Sequence, residues 1–449
     1  MPKRTFHVTL LTRLPRPGET KTRLIPLLGA DGAAALHTEM GTHVSRQLRM
    51  LRAVHRVRVI ARVTGGSHRA ARDWLKLPTS QQSDGDLGQR QLHALEQGIR
   101  RTHVAAVIGS DAPSVDAASM HVALEAAAEN GASFIAADDG GYCMLAVRFD
   151  CLPAVGSMLL SSIDWGTSDV LKQCLAHLGA SGIVPMVLGP FPDVDRPEDM
   201  EAWSAVRAAW YEPPRSLAVI VPTLNEAEAL PGLLEHLSGH GADIIIVDAG
   251  STDDTREIAK SAGARVIESE RGRGLQLNAG ALAADADALL FLHADTIPPE
   301  DFTQYILEAL SDPGLLVGAF RFDTGGRTTT MRILEAGTQL RSALLHFPYG
   351  DQGLFCRRVA WQALGGFPQS PVMEDYEFVA RARRAGRVRV LPQPALTSDR
   401  RWMESGAWRW TALNMATVAR FRLGSTPEEL AAWRAKTAIR SGRRNPCRK

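Results

Sequence analysis

The segment His293-Ala294-Asp295 carries residue types suited to metal chemistry. It follows the apolar run Leu289–Leu292 and precedes two prolines, through which a strand cannot continue. Both polar residues are therefore predicted at the carboxyl end of a buried strand, the edge of an open α/β sheet where ligands bind. A carboxylate at that edge can bind Mg²⁺ or Mn²⁺, and the metal can neutralise a diphosphate. The alternative is that Asp295 only caps the following helix.

Two other polar pairs are predicted to act with this segment. Glu374 and Asp375 begin a predicted helix. Because the amino-terminal end of a helix favours negative charge, Asp375 is suited to act as a general base. Arg271 and Arg273 are separated by one glycine at the start of another predicted helix. This spacing indicates a contact to a diphosphate or a sugar.

Two further strands are predicted to position polar residues at the same edge. The strand Leu217–Val221 is followed by the sequence PTLNE and then by a helix predicted from Ala227. The strand Ile244–Val247 ends at Asp248, and a Gly-Ser-Thr-Asp run then leads into a helix. An aspartate at a strand end suits a nucleotide base or ribose. The residues after it are equally well explained as helix caps.

The first half of the chain repeats this pattern. The strand Phe6–Leu11 opens into a loop that ends in Lys21-Thr22-Arg23, whose backbone and cationic side chains can bind phosphates. A plain surface loop is the alternative. Asp111 follows the buried strand Val104–Gly109, and Asp195 lies in a later loop. The two aspartates could share one divalent metal, although each alone is also explained as a helix cap or turn former.

Length and composition limit the number of domains and the classes of partner that the chain can have. A chain of 449 residues implies two or three domains. A formal net charge of +2 gives no reason to expect a nucleic acid partner. Five cysteines without CxxC spacing predict reduced thiols. No signal region and no apolar run of about 20 residues is present, so no transmembrane segment is expected and a cytoplasmic protein is predicted.

Alternating strands and helices predict mostly parallel α/β sheets. The Pro-rich segment 211–216 predicts a boundary between domains at 1–211 and 216–435, followed by a basic tail at 436–449. The aromatic residues Trp408, Trp410 and Phe421 are better explained as packed core than as a weak membrane-surface contact.

The first half resembles a known family. The motifs PxPGxxKTRL, GDLGQR, GSDAP, DDGGY and DVDRPED, over about residues 5–205, are similar to a bacterial family of GT-A-like domains of largely unassigned chemistry. That family is related to nucleotidyltransferases such as 2-phospho-lactate guanylyltransferase and the molybdenum-cofactor guanylyltransferase. The resemblance implies that Lys21 and Arg23 contact nucleotide phosphates and that Asp111 and Asp195 hold a metal. Asp139, in the DDGGY motif, is a further candidate.

The second half resembles family 2 glycosyltransferases of the GT-A fold. The motifs VPTLNE, VDAGSTDDT, RGRGLQLNAGA, HAD, GGF, ED and SxxRRW occur in that order over about residues 216–430. Within the family they are similar to the branch labelled as arsenosugar-biosynthesis glycosyltransferases. The resemblance implies a metal at Asp295, with His293 as a ligand or neighbour, and Asp375 as base beside Glu374. Residues implied in donor or acceptor binding are Pro222, Thr223, Glu226, Asp248, Arg271, Arg273, Asn278, Arg401 and Trp402.

Together these patterns predict two tandem GT-A (Rossmann-like, nucleotide-diphospho-sugar transferase) domains with mostly parallel central sheets. The predicted reaction is an inverting, metal-assisted transfer of a sugar from a nucleotide-diphospho-sugar donor to an acceptor hydroxyl. The first half would make or bind the activated sugar, or be a degenerate nucleotide-binding scaffold. The usual DxD motif is HAD here, so one acidic ligand is certain. Since no GxGxxG motif follows a strand, a dehydrogenase is set aside. The donor sugar and the acceptor stay open.

Overall fold

The computed structural model describes residues 4–325, 347–398 and 406–439, together with Arg332. Two compact units divide the chain, Met1–Ala208 and Ala209–Lys449. Buried apolar runs form the central strands of both, as their near-continuous apolar sequence predicts. None of the described helices is long and apolar enough to cross a membrane.

The first unit contains one seven-stranded sheet. Its strands are β1 (Phe6–Arg13), β2 (Val57–Thr64), β3 (Thr79–Gln81), β4 (Val104–Gly109), β5 (Ala132–Ala137), β6 (Tyr142–Arg148) and β7 (Met186–Phe191). They lie in the order β3-β2-β1-β4-β6-β5-β7. Only β6 runs antiparallel to its neighbours in this sheet. The helices are α1 (Ile25–Val54), α2 (His68–Leu75), α3 (Leu87–Ile99), α4 (Ala117–Asn130), α5 (Leu152–Leu159), α6 (Val170–Ala180) and α7 (Met200–Trp210), whose last two residues fall in the second unit.

The second unit contains an eight-stranded sheet. Its strands are β8 (Leu217–Thr223), β9 (Asp243–Asp248), β10 (Arg265–Glu268), β11 (Ala288–Phe291), β12 (Thr296–Ile297), β13 (Leu315–Asp323), β14 (Leu354–Arg357) and β15 (Arg387–Thr397). They lie in the order β10-β9-β8-β11-β14-β13-β15-β12. The antiparallel strands are β14 and the short edge strand β12.

The second unit also contains eight helices among its described residues. They are α8 (Leu230–Leu237), α9 (Thr255–Ser261), α10 (Arg273–Ala283), α11 (Phe302–Leu310), α12 (Arg358–Ala363), α13 (Glu374–Ala385), α14 (Ala407–Arg422) and α15 (Pro427–Ile439). The four side chains of β11 are each at most 3% exposed, which places this strand in the core. Burial of each large apolar side chain contributes about 1.5–3 kcal/mol, so the strand that precedes the candidate metal segment is firmly fixed.

The two sheets share one topology. Without β12, the second sheet repeats the strand order of the first, with its antiparallel strand at the same position. In this alignment β4 corresponds to β11, so Asp111 and Asp295 follow equivalent strands. In a parallel sheet, residues at equivalent carboxyl ends lie at the same edge. Each unit thus places an aspartate at the edge where ligands of such sheets bind.

A buried arginine fixes the start of the second unit. Arg357, at the end of β14, is 2% exposed. Its guanidinium donates hydrogen bonds to the carbonyl oxygens of Ala209, Glu212 and Leu310, at 3.2, 2.7 and 2.7 Å. A buried guanidinium is stable only when such acceptors are present. The segment 209–212 is therefore part of the packed structure of this unit.

Candidate functional site

Asp375 is held in a fixed orientation at the start of α13. The backbone N–H of Gly350 donates to its Oδ2 at 2.8 Å, and the N–H of Tyr376 donates to its Oδ1 at 2.7 Å. Gly350 begins a single 3₁₀ turn, Gly350–Gln352, just before β14. Each carboxylate oxygen has two lone pairs, so both can accept a further hydrogen bond. This is the arrangement that a positioned base requires.

The chain enters α13 through a strained residue. Met373 has φ 71°, the left-handed region that residues with a Cβ rarely adopt. This conformation costs about 1–2 kcal/mol for an ordinary residue. The helix that follows begins with Glu374 and Asp375. Strain of this kind persists only where the surrounding structure imposes it, and it concentrates at functional sites.

Arg273, the first residue of α10, lies among three carboxylates. Its Nη1 is 3.0 Å from Oε1 of Glu374, whose side chain is 4% exposed, whereas that of Arg273 is 43% exposed. The negative charges of Glu374, Asp375 and Asp295 raise the pKa of Arg273. Burial raises the pKa of Glu374, and the attraction of Arg273 acts in the opposite direction. The structure thus brings together four of the residues singled out in the sequence.

His293 and Asp295 lie in the turn after β11, and both are half-buried. A Cβ built on Gly350 would lie 3.1 Å from Nε2 of His293 and 3.2 Å from Oδ2 of Asp375. Both polar atoms therefore face the position that a Cβ at residue 350 would take, and glycine leaves this small space open. Gly350 was not among the candidates from sequence; the glycine-rich sequence Tyr349-Gly350-Asp351-Gln352-Gly353 was the available signal.

The donor set suits a divalent cation that is only partly bound by protein. Among the described residues, no group of three or more His, Cys, Asp or Glu side chains is placed to hold a metal. Mg²⁺ usually takes one or two carboxylates and completes its shell with waters and substrate phosphates. The carboxylate of Asp295 and the imidazole of His293, beside the space next to Gly350, fit that pattern.

Asp248 is bonded within its own loop. It is fully buried. Its Oδ1 accepts hydrogen bonds from the N–H groups of Gly250 at 3.1 Å and Ser251 at 2.9 Å. Its Oδ2 accepts hydrogen bonds from the hydroxyls of Thr223, at 3.3 Å, and Ser251. The carboxylate therefore fixes the loop between β9 and α9 against the end of β8.

Other predicted donor-site residues also contact backbone. The side-chain amide of Asn278 exchanges two hydrogen bonds of 2.8 Å with the backbone of Phe367. Gln276, which sequence reasoning did not select, donates to the carbonyls of Thr223 and Val247, at 3.0 and 2.8 Å, where β8 and β9 end. Pro222 and Glu226 are half-buried, and Arg271 is exposed. Arg401 and Trp402 lie outside the described residues.

In the first unit, the cationic loop meets both predicted metal ligands. Lys21 Nζ is 2.9 Å from Asp111 Oδ1 and 3.5 Å from Asp195 Oδ1, and Arg23 Nη1 is 2.5 Å from Asp195 Oδ2. Burial acts to raise the pKa of Asp111, but attraction to Lys21 outweighs it and lowers that pKa.

Asp139 belongs to a neighbouring acidic group. It is exposed, and its Oδ1 accepts a hydrogen bond of 2.8 Å from the N–H of Gly141. Burial, together with the charges of Asp139 and Asp138, raises the pKa of Asp193 to about 7. Asp193 lies in the DVDRPED motif but was not selected from sequence.

Each unit matches a known family model over part of its length. Residues 218–363 match the model of glycosyl transferase family 2. The second unit contains a family 2 glycosyltransferase domain. Residues 47–167 match the model of an uncharacterized protein family conserved in bacteria, DUF2064. The two-domain resemblance seen in the sequence is therefore confirmed. The predicted fold class of two tandem α/β domains with mostly parallel central sheets is also confirmed.

Similar proteins include named sugar transferases. A dolichyl-phosphate hexose transferase from Haloferax volcanii is 33% identical over 138 residues, which are 30% of this chain and 60% of the relative. A glucosyl-3-phosphoglycerate synthase from Mycolicibacterium paratuberculosis is 29% identical over 146 residues, 30% of this chain and 44% of the relative. The chain thus spans about half the length of these curated relatives.

A solved structure is also similar in part. It is glucosyl-3-phosphoglycerate synthase from Mycobacterium tuberculosis in complex with Mn²⁺, uridine diphosphate and glucosyl-3-phosphoglycerate. The identity is 22% and the TM-score is 0.33, over 43% of this chain and 75% of that chain.

Proposed function

We propose that the second unit transfers a sugar from a nucleotide-diphospho-sugar donor to an acceptor hydroxyl, with inversion at the anomeric carbon. The observation that carries this proposal is the position of Asp375. Two backbone N–H groups orient its carboxylate, and its charge, like that of Asp295, raises the pKa of Arg273. The family 2 domain and the relatives named as hexose transferase and glucosyl synthase support the reaction class.

Asp375 acts as the general base in this proposal. Its carboxylate accepts the proton of the acceptor hydroxyl while that oxygen forms a bond to the anomeric carbon. The bond from that carbon to the diphosphate breaks on the opposite face, and its electron pair leaves with the diphosphate. Arg273 and the exposed Arg271 stabilise the charge that develops there.

Asp295 and His293 would hold Mg²⁺ or Mn²⁺ together with the diphosphate of the donor. When bound, the metal neutralises charge on the leaving group as a Lewis acid. The HAD sequence supplies one carboxylate where DxD would supply two, so the phosphates must contribute more of the ligands. Glu374 keeps Arg273 in position through their ion pair.

The nucleotide is proposed to bind where β8 and β9 end. The loop fixed by Asp248 and Thr223 forms one wall, and half-buried Pro222 and Glu226 lie beside it. Asn278 holds the loop that contains Phe367 and thereby shapes the other side. Arg401 and Trp402 are proposed to line the donor or acceptor site, as the family resemblance implies.

The test compares Asp375→Asn with wild type in the full chain. We would measure nucleotide release from UDP-, GDP- and TDP-sugars, with Mg²⁺ or Mn²⁺, in water and with a panel of hydroxyl acceptors that includes 3-phosphoglycerate. Loss of the base should lower kcat about 10²–10⁴-fold with donor affinity unchanged. The matched control is Asp243→Asn, an exposed aspartate at the start of β9. Near wild-type turnover in Asp375→Asn would refute the assignment.

For the first unit we propose binding of the activated sugar rather than its synthesis. Arg23, whose side chain is 57% exposed, is the candidate phosphate contact, and Asp139 lies exposed nearby. Nucleoside triphosphates mixed with sugar phosphates should then release no pyrophosphate. Release that is lost in Asp111→Asn would show a nucleotidyltransferase instead.

A further inference from the structure

In the first unit, the side chain of Lys21 supplies a cation to the carboxylates of Asp111 and Asp195. Lys21 Nζ donates to the carbonyl oxygen of Val194 at 2.6 Å and lies 2.9 Å from Asp111 Oδ1 and 3.5 Å from Asp195 Oδ1. An ammonium group has three N–H donors, and three oxygens surround this one. The side chain is 4% exposed.

The position of Lys21 is imposed by the backbone. Its φ is 48°, in the left-handed region, directly before the short 3₁₀ helix Thr22–Leu24. The segments that carry its partners are tied together, because the N–H of Val194 donates to the carbonyl of Asp111 at 2.9 Å. A buried ammonium is stable only beside such partners, so moving Lys21 away from them within the protein would be energetically costly.

Two cationic side chains face the two carboxylates. Asp111 is paired with Lys21, and Asp195 with both Lys21 and Arg23. A divalent cation shared by the two aspartates would need oxygens at about 2.0–2.6 Å, which is the region that the ammonium occupies. It would also be repelled by the ammonium at close range. The pair therefore does not fit a metal while Lys21 is in place.

The second unit differs at the equivalent position. Asp295 follows the strand equivalent to the one before Asp111, but the loop after β8 carries Glu226 rather than a lysine. Arg273 is a cation whose pKa the charge of Asp295 raises; its side chain is 43% exposed and pairs with Glu374. The two units thus share a topology and differ in how the aspartate at the sheet edge is neutralised.

We propose that Lys21 is the resident cation of Asp111 and Asp195, so that the first unit binds no free divalent cation at this pair. The proposal is independent of the reaction proposed for the second unit. It also predicts a latent site: a chain without the ammonium has two converging carboxylates and should bind a divalent cation there.

The experiment measures binding of Mn²⁺ alone to the full chain, by electron paramagnetic resonance and titration calorimetry. All variants carry Asp295→Ala, so that the second unit contributes no site through that residue. In this background the protein should bind no Mn²⁺ that depends on Asp111. Adding Lys21→Met should create a site at least about tenfold tighter than any residual binding, and adding Asp111→Asn should abolish it.

Two control variants distinguish the loss of the Lys21 charge from a general effect of the substitution on folding. Lys76→Met replaces another lysine with left-handed backbone, φ 54°, whose side chain is exposed, and should gain no site. Lys21→Arg keeps the positive charge and should gain none either. Mn²⁺ should raise the melting temperature of the Lys21→Met chain and not that of the Lys76→Met chain.

Two results would overturn the proposal. One is Mn²⁺ binding in the Asp295→Ala chain that disappears on Asp111→Asn, because Lys21 would then not exclude the metal. The other is a folded Lys21→Met chain that gains no site. If Lys21→Met does not fold, the comparison of Asp295→Ala with and without Asp111→Asn still decides: equal Mn²⁺ binding supports exclusion, and reduced binding refutes it.

Discussion

Replacing Gly350 by alanine should slow sugar transfer without unfolding the protein. The added Cβ would lie 3.1 Å from His293 Nε2 and 3.2 Å from Asp375 Oδ2, whereas ordinary contacts begin at 3.4 Å. The two side chains must therefore move by a few tenths of an ångström. A 1 Å misplacement can cost about 100-fold in rate, so this shift should lower kcat roughly three- to sixfold, or about 0.5–1 kcal/mol. The backbone N–H that holds Asp375 is unchanged.

The assay is the kcat for nucleotide release from the donor that wild type uses. Gly350→Val, with a larger side chain, should lose more than Gly350→Ala, so the series should be graded. The matched control is Gly232→Ala in α8, where a Cβ would meet nothing within 4 Å. That change should leave kcat unchanged and stabilise the helix by about 1 kcal/mol. A Gly350→Val chain as fast as wild type would refute the proposed convergence of His293 and Asp375.

Three further predictions concern the metal, pH and strain. Chelation of divalent cations should slow transfer by wild type but have no further effect on Asp295→Ala, and a variant that keeps full metal dependence would contradict the proposed role. Burial lowers the pKa of His43 from 6.5 to about 3. Between these pH values the unfolded chain therefore binds a proton at His43 that the folded chain does not, so His43 alone should lower the free energy of unfolding by about 1.4 kcal/mol for each pH unit below 6.5. Urea denaturation at pH 7, 6, 5 and 4 should show a smaller pH dependence of the unfolding free energy in His43→Phe than in wild type. An equal pH dependence in the two chains would contradict this prediction. Met373→Gly should raise the free energy of unfolding, measured by urea denaturation, by up to about 1 kcal/mol, because glycine adopts the left-handed backbone without strain. A lower free energy of unfolding would show that the contacts of the Met373 side chain contribute more than the strain costs.

The strands were the most predictable part of the chain. The buried strand Val104–Gly109 has the predicted bounds, and the strand before His293 begins and ends one residue earlier than predicted. Continuous apolar runs bounded by polar residues are a strong local signal. The helix predicted from Ala227 begins at Leu230 instead. The N–H groups of Glu226 and Ala227 bind side chains of Thr255 and Asp253, contacts that the local sequence does not reveal.

The internal partners of the candidate residues were not predictable. Asn278 and Phe367 are 89 residues apart in the chain, yet the side-chain amide of Asn278 pairs with both the backbone N–H and the carbonyl of Phe367. Asp248 is predicted to contact a ligand because it ends a strand, and the local sequence does not reveal that the hydroxyl of Ser251 also reaches its carboxylate in the folded loop. Sequence motifs therefore predict which residues share a site, whereas the hydrogen-bond partners of those residues depend on the tertiary structure.

The buried guanidinium of Arg357 determines where the chain can be cut. A fragment that begins at Ser216, after the Pro-rich joint, would lack the carbonyls of Ala209 and Glu212, two of the acceptors of that guanidinium. A buried charged donor left without acceptors is strongly destabilising, by several kcal/mol. A separable second unit should therefore start before Ala209, inside the helix Met200–Trp210. Replacing the first unit by another domain would therefore have to keep Ala209 and Glu212. The boundary for such an exchange lies on the amino-terminal side of Pro213 and Pro214.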